Sequence, residues 1–216
     1  MNILLVDDHQ MMRDGLRMLL ERADFRVVGE AATGQEALAA ARALLPDVVV
    51  MDISMPGMNG IDATRRLLAE LPQTKVVGLS MNADRRYAVA LFDAGAQAYV
   101  VKNSASEELI HALHAVAAGN KYVSPAIGEM PTYGPDPLGS QASAIEPWSH
   151  KALSPREREV LQLVAEGKSS KDVATELGVA VSTVETHRRQ IMDKLELRTI
   201  AELTKYAIRE GLTSIG

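Results

Sequence analysis

From Met1 to about Tyr122, short β-branched runs alternate with longer segments whose apolar residues recur at helical spacing. The strand candidates are Asn2 to Val6, Arg26 to Ala31, Val48 to Met51, Lys75 to Leu79 and Ala98 to Val101. Between them the pattern predicts helices over Asp14 to Glu21 (Leu16, Leu19 and Leu20 inward), Gln35 to Leu44, Gly60 to Glu70, Arg85 to Ala94 and Ser106 to Ala118. Strands separated by helices of this length need right-handed crossovers, which make a parallel sheet covered on both faces. The prediction is an α/β domain with five parallel strands, doubly wound. It accounts for the run Val48-Val49-Val50, which is apolar throughout where a half-exposed strand would alternate.

The pattern then changes twice. Residues from Ser124 to about Ala152 hold five of the nine prolines, several Gly and Ser, and no period of either kind, the composition of a linker. Trp148, Tyr133 and Ile145 are large apolar residues for a tether and keep open a docking role for part of it. From Ser154 the signals are helical only. Ser154 with Glu157, Ser182 with Glu185 and Thr199 with Glu202 read as capping boxes, and Ser169 with Asp172 as a looser start. Gly167 and Gly178 stand where left-handed caps are wanted. Four short helices make a bundle too small for a deep cleft and large enough for a recognition module. The division expected is 1–122, a linker over 123–152, and a helical domain over 153–216.

Composition narrows the functional classes. With 47% hydrophobic and 24% charged residues the chain can build a real core. It has no apolar run of roughly eighteen residues, and Asn2 to Val6 is too short for a signal peptide, so a cytoplasmic protein without membrane contact is expected. Cysteine is absent, which removes disulfides and thiolate chemistry and leaves oxygen or His to hold any metal. The net charge of −5 argues against nucleic-acid binding until it is divided. Residues 1–150 carry 12 Lys and Arg against 18 Asp and Glu, a balance of −6, and residues 151–216 carry 11 against 10, a balance of +1. The acidity belongs to the first domain.

In an open parallel sheet, ligands bind in the crevice past the carboxyl ends of the strands. Here those ends run into Asp7 and Asp8, Asp52, Ser80 and Lys102. Three acids from neighbouring strands repel one another unless a cation sits among them. A hard divalent ion, Mg2+ by abundance, fits, with water and the backbone carbonyl of Ser54 completing its octahedron. An ammonium and a hydroxyl beside that ion suit the oxygens of a phosphoryl group, which makes Asp52 the candidate nucleophile of an aspartyl phosphate. Singly, each residue has a plainer use: Asp7, Asp8 or Ser80 as a cap, Lys102 as a solvated cation. Jointly, that account requires four coincidences at one sheet edge.

LLVDDH at 4–9, VVVMDISMPGMNG at 48–60, VVGLS at 76–80 and DAGAQAYVVKNS at 93–104 together resemble the receiver domain of two-component response regulators, a flavodoxin-like fold. The resemblance implies that Asp52 is the phosphoacceptor, that Asp7 and Asp8 hold Mg2+ with it, and that Ser80 is the switch hydroxyl, Tyr99 the switch aromatic and Lys102 the phosphate-facing cation. Ala98 and Asn103 depart from the Gly and Pro common at their places. A cis Lys102-Asn103 bond would cost about 3 kcal/mol and need tertiary support.

The tail, LSPREREVLQLVAEGKSSKDVATELGVAVSTVETHRRQIMDKLEL, resembles the LuxR-type helix-turn-helix, so the whole chain except the linker looks like a NarL/FixJ-type regulator. Physically, the helix from Thr183 to about Leu195 is the reader: Val184, Ile191 and Leu195 bury, leaving Glu185, Thr186 and Arg189 outward. Arg189 can reach guanine, Glu185 can accept from cytosine and Thr186 can touch a thymine methyl. Lys171, Thr183, Arg188 and Lys194 suit phosphates. A balance of +1 binds DNA weakly as a monomer, which favours a dimer on two half-sites. Ile200, Leu203, Ala207 and Ile208 of the last helix are core and dimer candidates.

The function expected is therefore a transcription regulator, not an enzyme. A sensor histidine kinase phosphorylates Asp52, and the tail is released from an obstructed resting state to dimerise on double-stranded DNA. The enzyme rival is a Mg2+-dependent phosphatase of the haloacid dehalogenase kind. That chemistry wants an acid two residues past the nucleophile, where this chain has Ser54. A second rival is an interaction protein whose tail binds another protein.

Overall fold

The computed structural model describes residues 1–102, 105–128, 153–210 and 212–213. In the first domain β1 (Asn2–Val6), α1 (Gln10–Arg22), β2 (Arg26–Ala31), α2 (Gly34–Leu44), β3 (Val48–Asp52), α3 (Gly60–Glu70), β4 (Lys75–Ser80), α4 (Arg85–Asp93), β5 (Ala98–Val101), α5 (Ala105–Ala117) and β6 (Tyr122–Val123) follow one another. The strands are all parallel, in the order β2-β1-β3-β4-β5-β6.

β3 lies between β1 and β4 and is buried along its whole length, which explains its unbroken apolar run. Alternation assigns its side chains to opposite faces. Val48 and Val50 pack with Leu16, Leu20, Leu109 and Leu113 of α1 and α5. Val49 and Met51 join Leu38, Leu67 and Leu91 of α2, α3 and α4. Two cores result, one on each side of the sheet.

The sheet has six strands, not five. β6 pairs with β5 through Ala98 and Tyr99, and a 3-10 turn at Pro125–Ile127 follows. Two residues carry no readable period, so the strand exists only because the edge of β5 accepts it. Asn103, Tyr133, Ile145 and Trp148, on which the cis-bond and linker-docking expectations fall, lie outside the described residues.

The tail forms α6 (Pro155–Ala165), α7 (Ser170–Glu176), α8 (Val181–Leu195) and α9 (Ile200–Arg209) around Val160, Leu163, Val173, Val184, Ile191, Leu203 and Ala207. Ser154, Ser169 and Thr199 each head a complete capping box. Ser182 does not. The turn through Gly178, at φ +64°, brings the chain into α8 earlier, with Ala180 as an N-cap that makes no side-chain hydrogen bond and Ser182 inside the helix.

Candidate functional site

The crevice at the carboxyl ends of β1, β3, β4 and β5 gathers the predicted polar residues. The Lys102 ammonium lies 2.6 Å from Asp7 Oδ2 and 2.8 Å from Asp52 Oδ2, and all three side chains are nearly sealed from solvent. Asp8 is half-buried beside them, and ligand atoms of Asp7, Asp8, His9 and Asp52 all fall within 4.8 Å of one another. His9 was not among the predicted site residues. Its Nδ1 stands 2.9 Å from Asp8 Oδ1, and its backbone N–H donates to Asp7 Oδ1 at 2.9 Å.

Electrostatics set the character of the site. Burial pushes the Asp52 carboxyl above its ordinary value and Asp7 adds to the rise, while Lys102 and the Ser54 N–H pull against it. Burial would lower the Lys102 ammonium, yet the facing carboxylates of Asp52 and Asp7 outweigh it and hold its pKa above the usual lysine value. Crowded, oxygen-only carboxylates of this kind fit a hard divalent cation.

The loop after Asp52 is built to keep that carboxylate in place. The Ser54 N–H donates to Asp52 Oδ1 at 3.1 Å, and the Gly60 N–H donates to the Ile53 carbonyl at 2.9 Å. A Cβ on Gly60 would stand 2.0 Å from the Asp52 carbonyl oxygen, so only glycine lets α3 start this close to the strand. Asn59 caps α3 by accepting from the Asp62 N–H. Gly57 turns the loop at φ +76°. Arg13, also outside the predicted set, is buried and donates to the Asp7 carbonyl at 2.5 Å, which fixes the β1–α1 turn.

Ser80 is buried at the end of β4, and its Oγ accepts from the Asn82 N–H. The Tyr99 ring is fully buried, its hydroxyl donating to the Asn82 carbonyl at 2.6 Å. Burial raises its pKa well beyond the ordinary tyrosine range. The aromatic thus lies inside the domain.

On the tail, Glu185, Thr186 and Arg189 lie exposed on α8, with Thr183 at its start and Lys171 on α7 also exposed. Two of the expected phosphate contacts have internal partners. Arg188 donates to Ser170 Oγ at 2.8 Å, and Lys194 lies 2.8 Å from the buried carboxylate of Glu157. Leu203 and Ala207 are core residues, whereas Ile200 is half-exposed and Ile208 only partly covered.

The two domains meet through polar groups that the sequence does not single out. Gln162 of α6 donates from Nε2 to the Met55 carbonyl at 2.8 Å and accepts at Oε1 from the Asn59 N–H at 3.2 Å. Arg158 pairs with Asp62 at 3.0 Å, and Arg66 with Glu159 at 2.5 Å. The Gly57 N–H donates to Glu166 at 3.2 Å.

Residues 3–114 match the response regulator receiver domain, and residues 151–207 match the luxR family of bacterial regulatory proteins. The chain is 38% identical over 218 residues to the transcriptional regulatory protein MctR of Rhizobium johnstonii, covering 98% of this chain and 95% of that one. It is also 38% identical over 219 residues to the oxygen regulatory protein NreC of Staphylococcus epidermidis, covering 98% and 99%. Among solved structures, RcsB from Salmonella enterica serovar Typhimurium, bound to the promoter rprA with a phosphomimetic, is 27% identical with a TM-score of 0.60. That match covers 95% of this chain and 98% of RcsB.

Proposed function

The chain belongs to the two-component response regulators, a receiver domain followed by a LuxR-type DNA-binding domain, and from that premise we propose that Asp52 is its phosphoacceptor. The observation that carries this reading is the Lys102 ammonium held between Asp7 and Asp52 in a sealed crevice. An Asp52 oxygen attacks the phosphorus of a phosphohistidine or acyl phosphate, a P–O bond forms, and the bond to the leaving nitrogen or oxygen breaks with its electron pair. Lys102 and Ser80 receive the transferred oxygens.

Asp7, Asp8, Asp52 and the Ser54 carbonyl would hold Mg2+, which when bound supplies charge neutralisation for the phosphoryl group. The apolar groove of about 980 Å3 beside His9, lined by Met11, Met12, Met18, Leu19 and Ile110, offers a surface to the kinase that donates the group. Among the described residues no helix is long and apolar enough to cross a membrane, in keeping with a cytoplasmic regulator.

Downstream, Arg189, Glu185 and Thr186 read base edges, and Lys171, Thr183 and Arg188 contact phosphates, with Lys194 joining them only by leaving Glu157. Phosphorylated chains pair through α9 on two half-sites, and the promoter-bound relative supports DNA as the target. The test is to treat the full chain with Mg2+ and acetyl phosphate and follow intact mass, oligomeric state and DNA binding, with Asp52→Asn alongside. The mass gain of one phosphoryl group, absent in Asp52→Asn, is expected. Equal labelling of both proteins would refute the assignment.

A further inference from the structure

The crevice holds one side chain that the phosphoacceptor reading leaves unused. His9 follows Asp8 and stands at the N-cap of α1, yet its side chain caps no backbone group. The side chain is 72% exposed, but Nδ1 is turned inward, 2.9 Å from Asp8 Oδ1 and 3.4 Å from Asp7 Oδ1.

The oxygens of the two buried acids are already supplied with donors. Asp7 Oδ1 accepts from the His9 N–H and Asp7 Oδ2 from the Lys102 ammonium. Asp52 Oδ1 accepts from the Ser54 N–H, and Asp52 Oδ2 faces Lys102. Asp8 differs. Its Oδ1 is buried, and among the described residues no group donates a hydrogen bond to it. The His9 nitrogen meets that oxygen at 2.9 Å without hydrogen-bond geometry. A buried carboxylate oxygen with no donor is costly, and a cation satisfies it. The spacing suits one, because neighbouring ligands each about 2.1 Å from an octahedral ion stand about 3 Å apart.

Resting on the reading of Asp7, Asp8 and Asp52 as metal ligands, we propose that the His9 imidazole is a further ligand of the same ion. Carboxylates and carbonyls alone suit Mg2+, whereas an imidazole beside them favours first-row transition ions such as Fe2+ and Co2+. His9 therefore sets the ion preference of the crevice: it adds affinity for these softer ions and adds little for Mg2+. Its exposed ring also lets an ion reach Asp8 from solvent without passing Lys102.

The experiment titrates chelator-treated full-length wild type, His9→Ala, Asp8→Asn and Asp52→Asn with Co2+ and with Mg2+ at one pH. Melting temperature and the visible absorption of bound Co2+ are read. His9→Ala removes an exposed ring and should melt as the wild type does without metal. It is expected to bind Co2+ about 10-fold more weakly or worse, the scale seen even for groups that only support a ligand. Its Co2+ spectrum should change as the nitrogen is lost, while its Mg2+ titration stays close to that of the wild type. Equal weakening for both ions overturns the inference, and so does a Co2+ affinity or spectrum that His9→Ala leaves unchanged. Co2+ held by other histidines would survive both His9→Ala and Asp8→Asn, and counts as that second outcome. A wild type that binds neither ion, or Asp52→Asn binding both as the wild type does, overturns the metal reading beneath it.

Discussion

Asp52 stands at the carboxyl end of a fully buried strand, 2% exposed, with the Lys102 ammonium between it and Asp7. One ammonium shared by two carboxylates leaves the site short of positive charge, and burial with the Asp7 repulsion raises the Asp52 pKa accordingly. A divalent ion bound only by the folded chain must then stabilise it. At free Mg2+ about 100-fold above the dissociation constant the gain is about 2.7 kcal/mol, and the melting temperature should rise with concentration. Asp52→Asn should lose most of that rise, and an undiminished rise in the variant would count against Asp52 as a ligand. These acids were legible in the chain because strand periodicity and sheet-edge logic place them without any knowledge of neighbours. Gln162 and Arg13 were not, since a polar residue on a helix acquires its role only from the tertiary backbone group it meets.

Elements were legible where their signals are local. Ser154, Ser169 and Thr199 announce helices by capping chemistry contained in four residues, and the helices begin there. Ser182 carries the same signature and fails, because the turn after α7 decides where α8 starts; β6 was invisible because only its neighbour defines it. The Ser154 box has a pH signature. Burial alone would raise the Glu157 carboxyl, but Lys194 and Ser154 outweigh it and hold it below the usual glutamate value. A depressed native pKa contributes stability above the ordinary carboxylate range and loses it as pH falls through the depressed value. Glu157→Gln should therefore cost about 1 kcal/mol near neutral pH and nothing in acid, measured by urea unfolding at both. Gly60→Ala tests the close approach of α3 to β3: with 2.0 Å to the Asp52 carbonyl oxygen, something must move, and the cost should be about 1–3 kcal/mol with slower phosphoryl uptake.

At the scale of the whole molecule the charge is divided, −6 over residues 1–150 and +1 over residues 151–216. So small a positive balance cannot hold DNA strongly through one tail, and Lys194 is already committed to Glu157. Affinity must come from two tails on one site, which moves the regulatory question from the reading helix to the pairing surface. α9 buries Leu203 and Ala207 in its own domain and turns Ile200 outward, 51% exposed at the first position of the helix. An acid there is favourable to the helix dipole and hostile to an apolar contact between copies. Ile200→Glu should thus keep the monomer folded and still labelled on Asp52, yet remain monomeric and lose DNA affinity by tenfold or more, about 1.4 kcal/mol, in gel-shift titrations. Arg188→Ala should behave differently: dimerisation stays, binding weakens evenly across sequences, and the slope of log affinity against log salt falls by about 0.9 for each phosphate no longer neutralised. A dimer that forms and binds normally with Ile200→Glu would move the pairing surface off α9 and onto the receiver.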